Sequence, residues 1–183
     1  SVMTSLIAIA ADQGKLSLDQ PALSFFPDRK VANRDARKER ITVRHLTGMV
    51  SGLECIGEHD EPTLHEMNAS PDWVQFTLDL PMAAEPGTVF SYCSPGMHLL
   101  SAILQEAAGM TTLDFARENL FGPLGIREVM WPADPQGVNH SFEAFMRLKP
   151  GTSIERARAE MAGVMATVAR DFPASAISRV STP

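Results

Sequence analysis

The chain is poor in cysteine, in aromatic side chains, in positive charge and in long apolar runs. Its 183 residues include 2 cysteines, 1 tyrosine and 2 tryptophans, and aromatics make up 7%. Two cysteines allow one bridge and no paired Cys-x-x-Cys zinc site. Lys and Arg number 16 against 22 Asp and Glu, a net charge of −6. That balance argues against nucleic acid or an anionic membrane as the main partner. No apolar run reaches the roughly 18 residues a membrane span needs. Residues 2–11 are apolar but lack a basic lead, so they read as a helix rather than a signal peptide. The remainder is ordinary globular composition, 44% apolar and 21% charged. Its length suits one domain with a sizeable core.

The most ordered stretch is 90–126, FSYCSPGMHLLSAILQEAAGMTTLDFARENLFGPLGI. Ser94 reads as an N-cap with Pro95 at the first helical position. Leu99, Leu100, Ile103, Leu104 and Ala107 recur at helical spacing, and Gly109 stands where a left-handed C-cap belongs. A second helix starts near Thr111 or Thr112, carries Leu113, Phe115, Ala116 and Leu120, and breaks at Gly122-Pro123. The pair makes an αα-hairpin.

Tyr92-Cys93-Ser94 followed by GMTTLDFARENLFGPLGI resembles the serine β-lactamase and penicillin-binding-protein-like hydrolases. That group includes class C β-lactamases, D-Ala-D-Ala peptidases and related esterases. Its members open a helix with Tyr-x-Asn, and Ser94 departs from the Asn. The resemblance implies proton transfer by Tyr92, and orientation of a lysine and the substrate by Ser94. With no family partner beside it, Tyr92 reads instead as a packed, hydrogen-bonded ring.

ADQGKLSLDQPALSFFPD resembles the segment after the nucleophile helix in this family, where Ser-x-x-Lys supplies the attacking hydroxyl and its base. Too few residues separate Ser1 from Asp12 for Ser1 to be that serine. The register places the reactive serine and its lysine upstream of this chain. Thr4 cannot replace the lysine as base, and Ser1 and Ser5 are poorer candidates as nucleophile. After EVMWPADPQGVNH the resemblance stops near His140, with no Lys-Thr-Gly or His-x-Gly element beyond it.

The expected fold is therefore mainly α. Residues 1–140 form a truncated helical domain of the β-lactamase-like fold, and 141–183 a strand-turn-helix of different origin. FEAFMRLKPGTSIERARAEMAGVMATVARDFPAS resembles part of the periplasmic core domain of MacB-like ABC-transporter permeases. There Pro150-Gly151 turns and Thr152 with Glu155 makes a capping box. Ile154, Met161, Met165, Val168 and Phe172 form an apolar stripe.

Other segments read more plainly. The charged run 29–40 reads as a solvated loop with a short helix. ITVRHLTGMVSGL resembles a helix beneath the family's active site, with His45 a hydrogen-bonded core residue rather than a base. Ser70 caps a helix begun by Pro71, and Asp72 complements its dipole. Trp73 belongs to the core. ECIGEHDEPTLHEM offers Cys55, His59, Asp60, His65 and Glu66 as ligand types, at no standard zinc spacing. An acidic surface loop is the plainer reading, and no metal or cofactor is expected.

Three functions are open. One is a β-lactamase-like hydrolase cleaving a small-molecule ester, lactone or amide, with Tyr92 and Ser94 at its site. Another is metal-assisted hydrolysis at His59, Asp60, His65 or Glu66. The third is a catalytically idle helical fragment that self-associates, as a homodimer for instance, through exposed core.

Each cysteine flanks what the family places near the active-site rim, and some secreted relatives look to carry a cysteine at both places; the resemblance implies a Cys55–Cys93 disulfide, the alternative being two buried thiols. Closing that loop stabilises by about 4 kcal/mol in the chain-entropy model. It also implies a periplasmic or secreted location. Thiol titration of the unfolded, unreduced protein should find no free thiol, and finding two would exclude the bridge.

Overall fold

The computed structural model describes residues 2–56, 61–127, 129, 153, 155 and 156. The readings for His59 and Asp60, and nearly all of the C-terminal strand-turn-helix, lie outside the described residues. The chain divides into two compact units, Ser1–Ala144 and Phe145–Pro183. In the second, Ser153 Oγ accepts a bond from the Arg156 N–H at 3.2 Å.

The described part of the first unit is helical. In chain order it holds α1 (Val2–Asp12), a 3-10 turn (Ala22–Phe25), α2 (Ala36–Glu39) and α3 (Val43–Thr47). Then come α4 (Pro62–Ala69), α5 (Trp73–Asp79), α6 (Ser94–Ala108) and α7 (Thr112–Ala116), which runs on into a π-helical turn, Arg117–Phe121. Only two isolated bridges, Pro21 to Thr42 and Leu53 to Met82, stand for β pairing among the described residues.

α6 is the axis of this arrangement. Every residue of 94–104 is buried, including Leu100, Ile103 and Leu104 at 0% exposure. A helix buried on every side over these residues must be surrounded, and α1, α3, α4, α5 and α7 all pack against it. Each fully buried Leu or Ile contributes about 1.5–3 kcal/mol. Its C-terminus obeys the sequence signal: Gly109 adopts φ 68° and its N–H returns to the Gln105 carbonyl at 2.8 Å. Thr111 caps α7 by accepting from the Asp114 N–H at 3.1 Å. The Ser101 and Thr112 hydroxyls, 2.7 Å apart and buried, join the two arms of the hairpin.

Two caps differ from expectation. On α5 the cap is Asp72, whose carboxylate accepts from the Gln75 N–H at 2.9 Å, and Ser70 instead bonds to Asp72. The same carboxylate meets Arg29 at 2.7 Å. Burial pushes the Asp72 carboxyl up, but the Gln75 N–H and Arg29 outweigh it and hold the group below the usual range. On α6 the capping position belongs to Cys93, extended at φ −141°. Ser94 is already inside the helix.

The charged run 29–40 is only partly a solvated loop. Lys38 is 1% exposed, its ammonium donating to the Ala32 carbonyl at 2.9 Å and the Leu78 carbonyl at 2.8 Å. It ties the connector to the end of α5 through backbone partners that sequence does not announce. Burial lowers its pKa from the ordinary 10.5, against the pull of Asp79 and Asp35. The unfolded chain therefore holds more proton between the lowered value and 10.5, and this lysine's contribution to stability rises with pH across that window. Urea unfolding should show the wild-type protein gaining on Lys38→Met as pH climbs toward 10.5; a constant difference would contradict the burial.

Candidate functional site

Two extended segments carry the candidate residues to the open end of α6. Residues 87–93 run beside 49–55: the Gly87 N–H bonds to the Val50 carbonyl at 2.7 Å, and the Ser91 N–H to the Met49 carbonyl at 2.9 Å. The Ser91 hydroxyl donates to the Cys55 carbonyl at 3.1 Å. Behind them Gly52, at φ 78°, lies against 83–84; an added Cβ there meets the Ala84 carbonyl oxygen at 2.4 Å. Only glycine fits both that backbone angle and that approach.

Cys55 and Cys93 close the pair, with sulfurs 1.95 Å apart and Cα atoms 5.4 Å apart. Cys93 is at once the bridged residue, the N-cap of α6 and the middle of Tyr92-Cys93-Ser94. The two side chains flanking it differ. Tyr92 is 45% exposed, and its phenol makes no hydrogen bond among the described residues. Ser94 is 8% exposed and donates its proton to Glu61 Oε2 at 2.5 Å. The motif thus presents one free phenol and one committed hydroxyl.

Glu61 is the residue that sequence reasoning misses within the acidic loop. It caps α4 at φ 40°, ahead of Pro62. The Leu64 and His65 N–H groups return to its carbonyl at 2.9 and 3.2 Å. The Thr63 hydroxyl accepts from the Ile56 N–H at 2.9 Å, fastening α4 to the bridged segment. An acid followed by proline at a helix start is the one local signal of its place. Its partner Ser94 is 33 residues away in sequence.

The other candidates are dispersed. Ser5 is exposed on α1, and Ser1, His59 and Asp60 lie outside the described residues. His65 and Glu66 are exposed on α4, and Cys55 is bridged. Among the described residues no three His, Cys, Asp or Glu side chains gather as metal ligands do. His45 takes part in a capping box: its Nδ1 accepts from the Thr42 N–H at 3.2 Å, and Thr42 Oγ1 accepts from the His45 N–H. Trp73 packs edge-on against the buried His98 ring, with centroids 5.2 Å apart. A separate surface cleft beside α5, lined by Ser70, Asp72, Gln75 and Phe76, holds none of the motif residues.

Comparison with known proteins identifies the family and the fold. The family model described as Beta-lactamase matches residues 1–171. Penicillin-binding protein 4 of Amycolatopsis lactamdurans is 29% identical over 126 residues, covering 69% of this chain and 32% of that protein. Monacolin J acid methylbutanoyltransferase of Aspergillus terreus is 26% identical over 148 residues, covering 70% of this chain and 35% of that one. The chain spans about a third of the length of these curated relatives. The crystal structure of a beta-lactamase/D-alanine carboxypeptidase from Yersinia pestis superposes with a TM-score of 0.55 at 22% identity, covering 73% of this chain and 39% of that chain. That likeness shows the fold: the described residues are a helical portion of the β-lactamase-like architecture.

Proposed function

The chain belongs to the beta-lactamase family, and on that premise we propose that its 92–94 element serves hydrolysis of a small-molecule ester, lactone or amide. The observation that carries this reading is Tyr92. It is the chain's single tyrosine, stands 45% exposed at the head of a buried helix, and keeps its phenol unbonded among the described residues. A tyrosine buried for packing normally finds a protein partner for its hydroxyl, whereas the Tyr92 ring stands in solvent at the site.

In this reading Tyr92 carries a proton between a reactive serine and the leaving group, so that the acyl carbon gains a bond to serine oxygen as its bond to the leaving group breaks. Water then releases the acid. The 183 residues contain no Ser-x-x-Lys, so in this reading the attacking hydroxyl comes from outside the 92–94 element. The 92–94 element supplies the tyrosine rather than the nucleophile. Ile56, Val89 and Phe90, all exposed, offer apolar surface to the acyl part of a substrate. The Cys55–Cys93 bridge supports a periplasmic or secreted location.

The same exposed side chains favour a second reading, an idle helical piece that self-associates. Light scattering distinguishes it, since a monomer at high concentration counts against it.

Turnover of a chromogenic cephalosporin, a short-chain ester and an acyl lactone by purified protein tests the first reading. Tyr92→Phe should lower turnover by about tenfold or more, in keeping with general acid–base catalysis; unchanged turnover would reject the role.

A further inference from the structure

We infer that Glu61 fixes the direction of the Ser94 hydroxyl, and so makes the site select substrates that bring an N–H donor to Ser94. The inference rests on the reading that Ser94 faces substrate. A carboxylate only accepts hydrogen bonds, and a serine hydroxyl has one proton to give. The 2.5 Å contact spends that proton on Glu61 Oε2, in the short, charge-assisted class of bond. What Ser94 has left is lone pairs. An asparagine in this position both donates and accepts, so it serves either polarity of ligand. The Glu61–Ser94 pair serves one.

The pair is held in place by more than its own bond. Cys93, next to Ser94, is bridged to Cys55, and Ile56 is bonded to Thr63 on the helix Glu61 caps. Glu61 adopts a left-handed backbone, φ 40°, uncommon for a residue with a Cβ and retained where surrounding structure enforces it. A ligand arriving at Ser94 thus meets an acceptor backed by the Glu61 carboxylate, which no lysine or arginine among the described residues pairs. Amides and ammonium groups fit that surface, and carboxylates are repelled by it.

The test is binding rather than turnover. The full chain, labelled with nitrogen-15, is titrated separately with butylammonium and with butanoate while the Tyr92 and Ser94 amides are followed by NMR. Butylammonium should move both amides at concentrations where butanoate leaves them still. Loss of one charge-assisted bond in Glu61→Gln should weaken butylammonium about tenfold and leave butanoate no longer excluded. Ser94→Ala, which removes the acceptor and keeps the carboxylate, should lose part of the same preference. If Glu61 only braces the fold, Glu61→Gln lowers the melting temperature and leaves the ratio of the two affinities unchanged. That result overturns the inference, as does equal binding of the two probes to wild-type protein, or no response at Ser94 to either. Selection without any turnover sinks the hydrolase reading alone, and turnover without selection sinks this inference alone.

Discussion

The candidate site depends on how α6 begins. A helix buried on every side cannot shift to suit a ligand, so whatever stands at its first turn inherits its rigidity. The first turn here is pinned by Cys93, which the bridge to Cys55 holds in the extended conformation that ends one segment and opens the helix. That single residue decides the rest. With Cys93 as cap, Ser94 falls inside the helix and its hydroxyl is released from capping to reach Glu61. Tyr92, on the other side, stays outside the core.

The distance between partners along the chain decides what sequence can announce. The hairpin of α6 and α7 is legible because its signals are local: Gly109 must reverse the chain, and Thr111 caps three residues ahead. The start of α6 is legible to within a residue. Serine followed by proline is a cap signal, and here a covalent link to residue 55 overrules it. The α5 cap moves for a similar reason, with Asp72 held by Arg29 from a distant loop. Lys38 is not legible at all. Its partners are main-chain carbonyls, one of them 40 residues away, and no pattern of side chains marks a carbonyl. Glu61 is hidden in the same way among surface acids.

Polar groups at the open end of the buried frame are arranged unequally. Ser94 is bonded to Glu61, the Tyr92 phenol stands in solvent with no partner among the described residues, and the apolar side chains Ile56, Val89 and Phe90 are exposed as well. Local agreement between sequence and fold is high along α6 and breaks at its mouth, where exposed apolar surface, a left-handed Glu61 and an unbonded phenol gather. Such breaks are expected where a chain serves chemistry as well as stability. One architecture can host several kinds of chemistry, so function is argued from the residues at a site rather than from the fold.

The most direct test of the account is where a substrate mimic sits. A crystal structure of the protein soaked with a short-chain N-alkyl amide should place the amide at the head of α6, within hydrogen-bond reach of the Tyr92 phenol and beside Ser94. Occupancy of the α5 cleft formed by Ser70, Gln75 and Phe76, with the head of α6 empty, would contradict it.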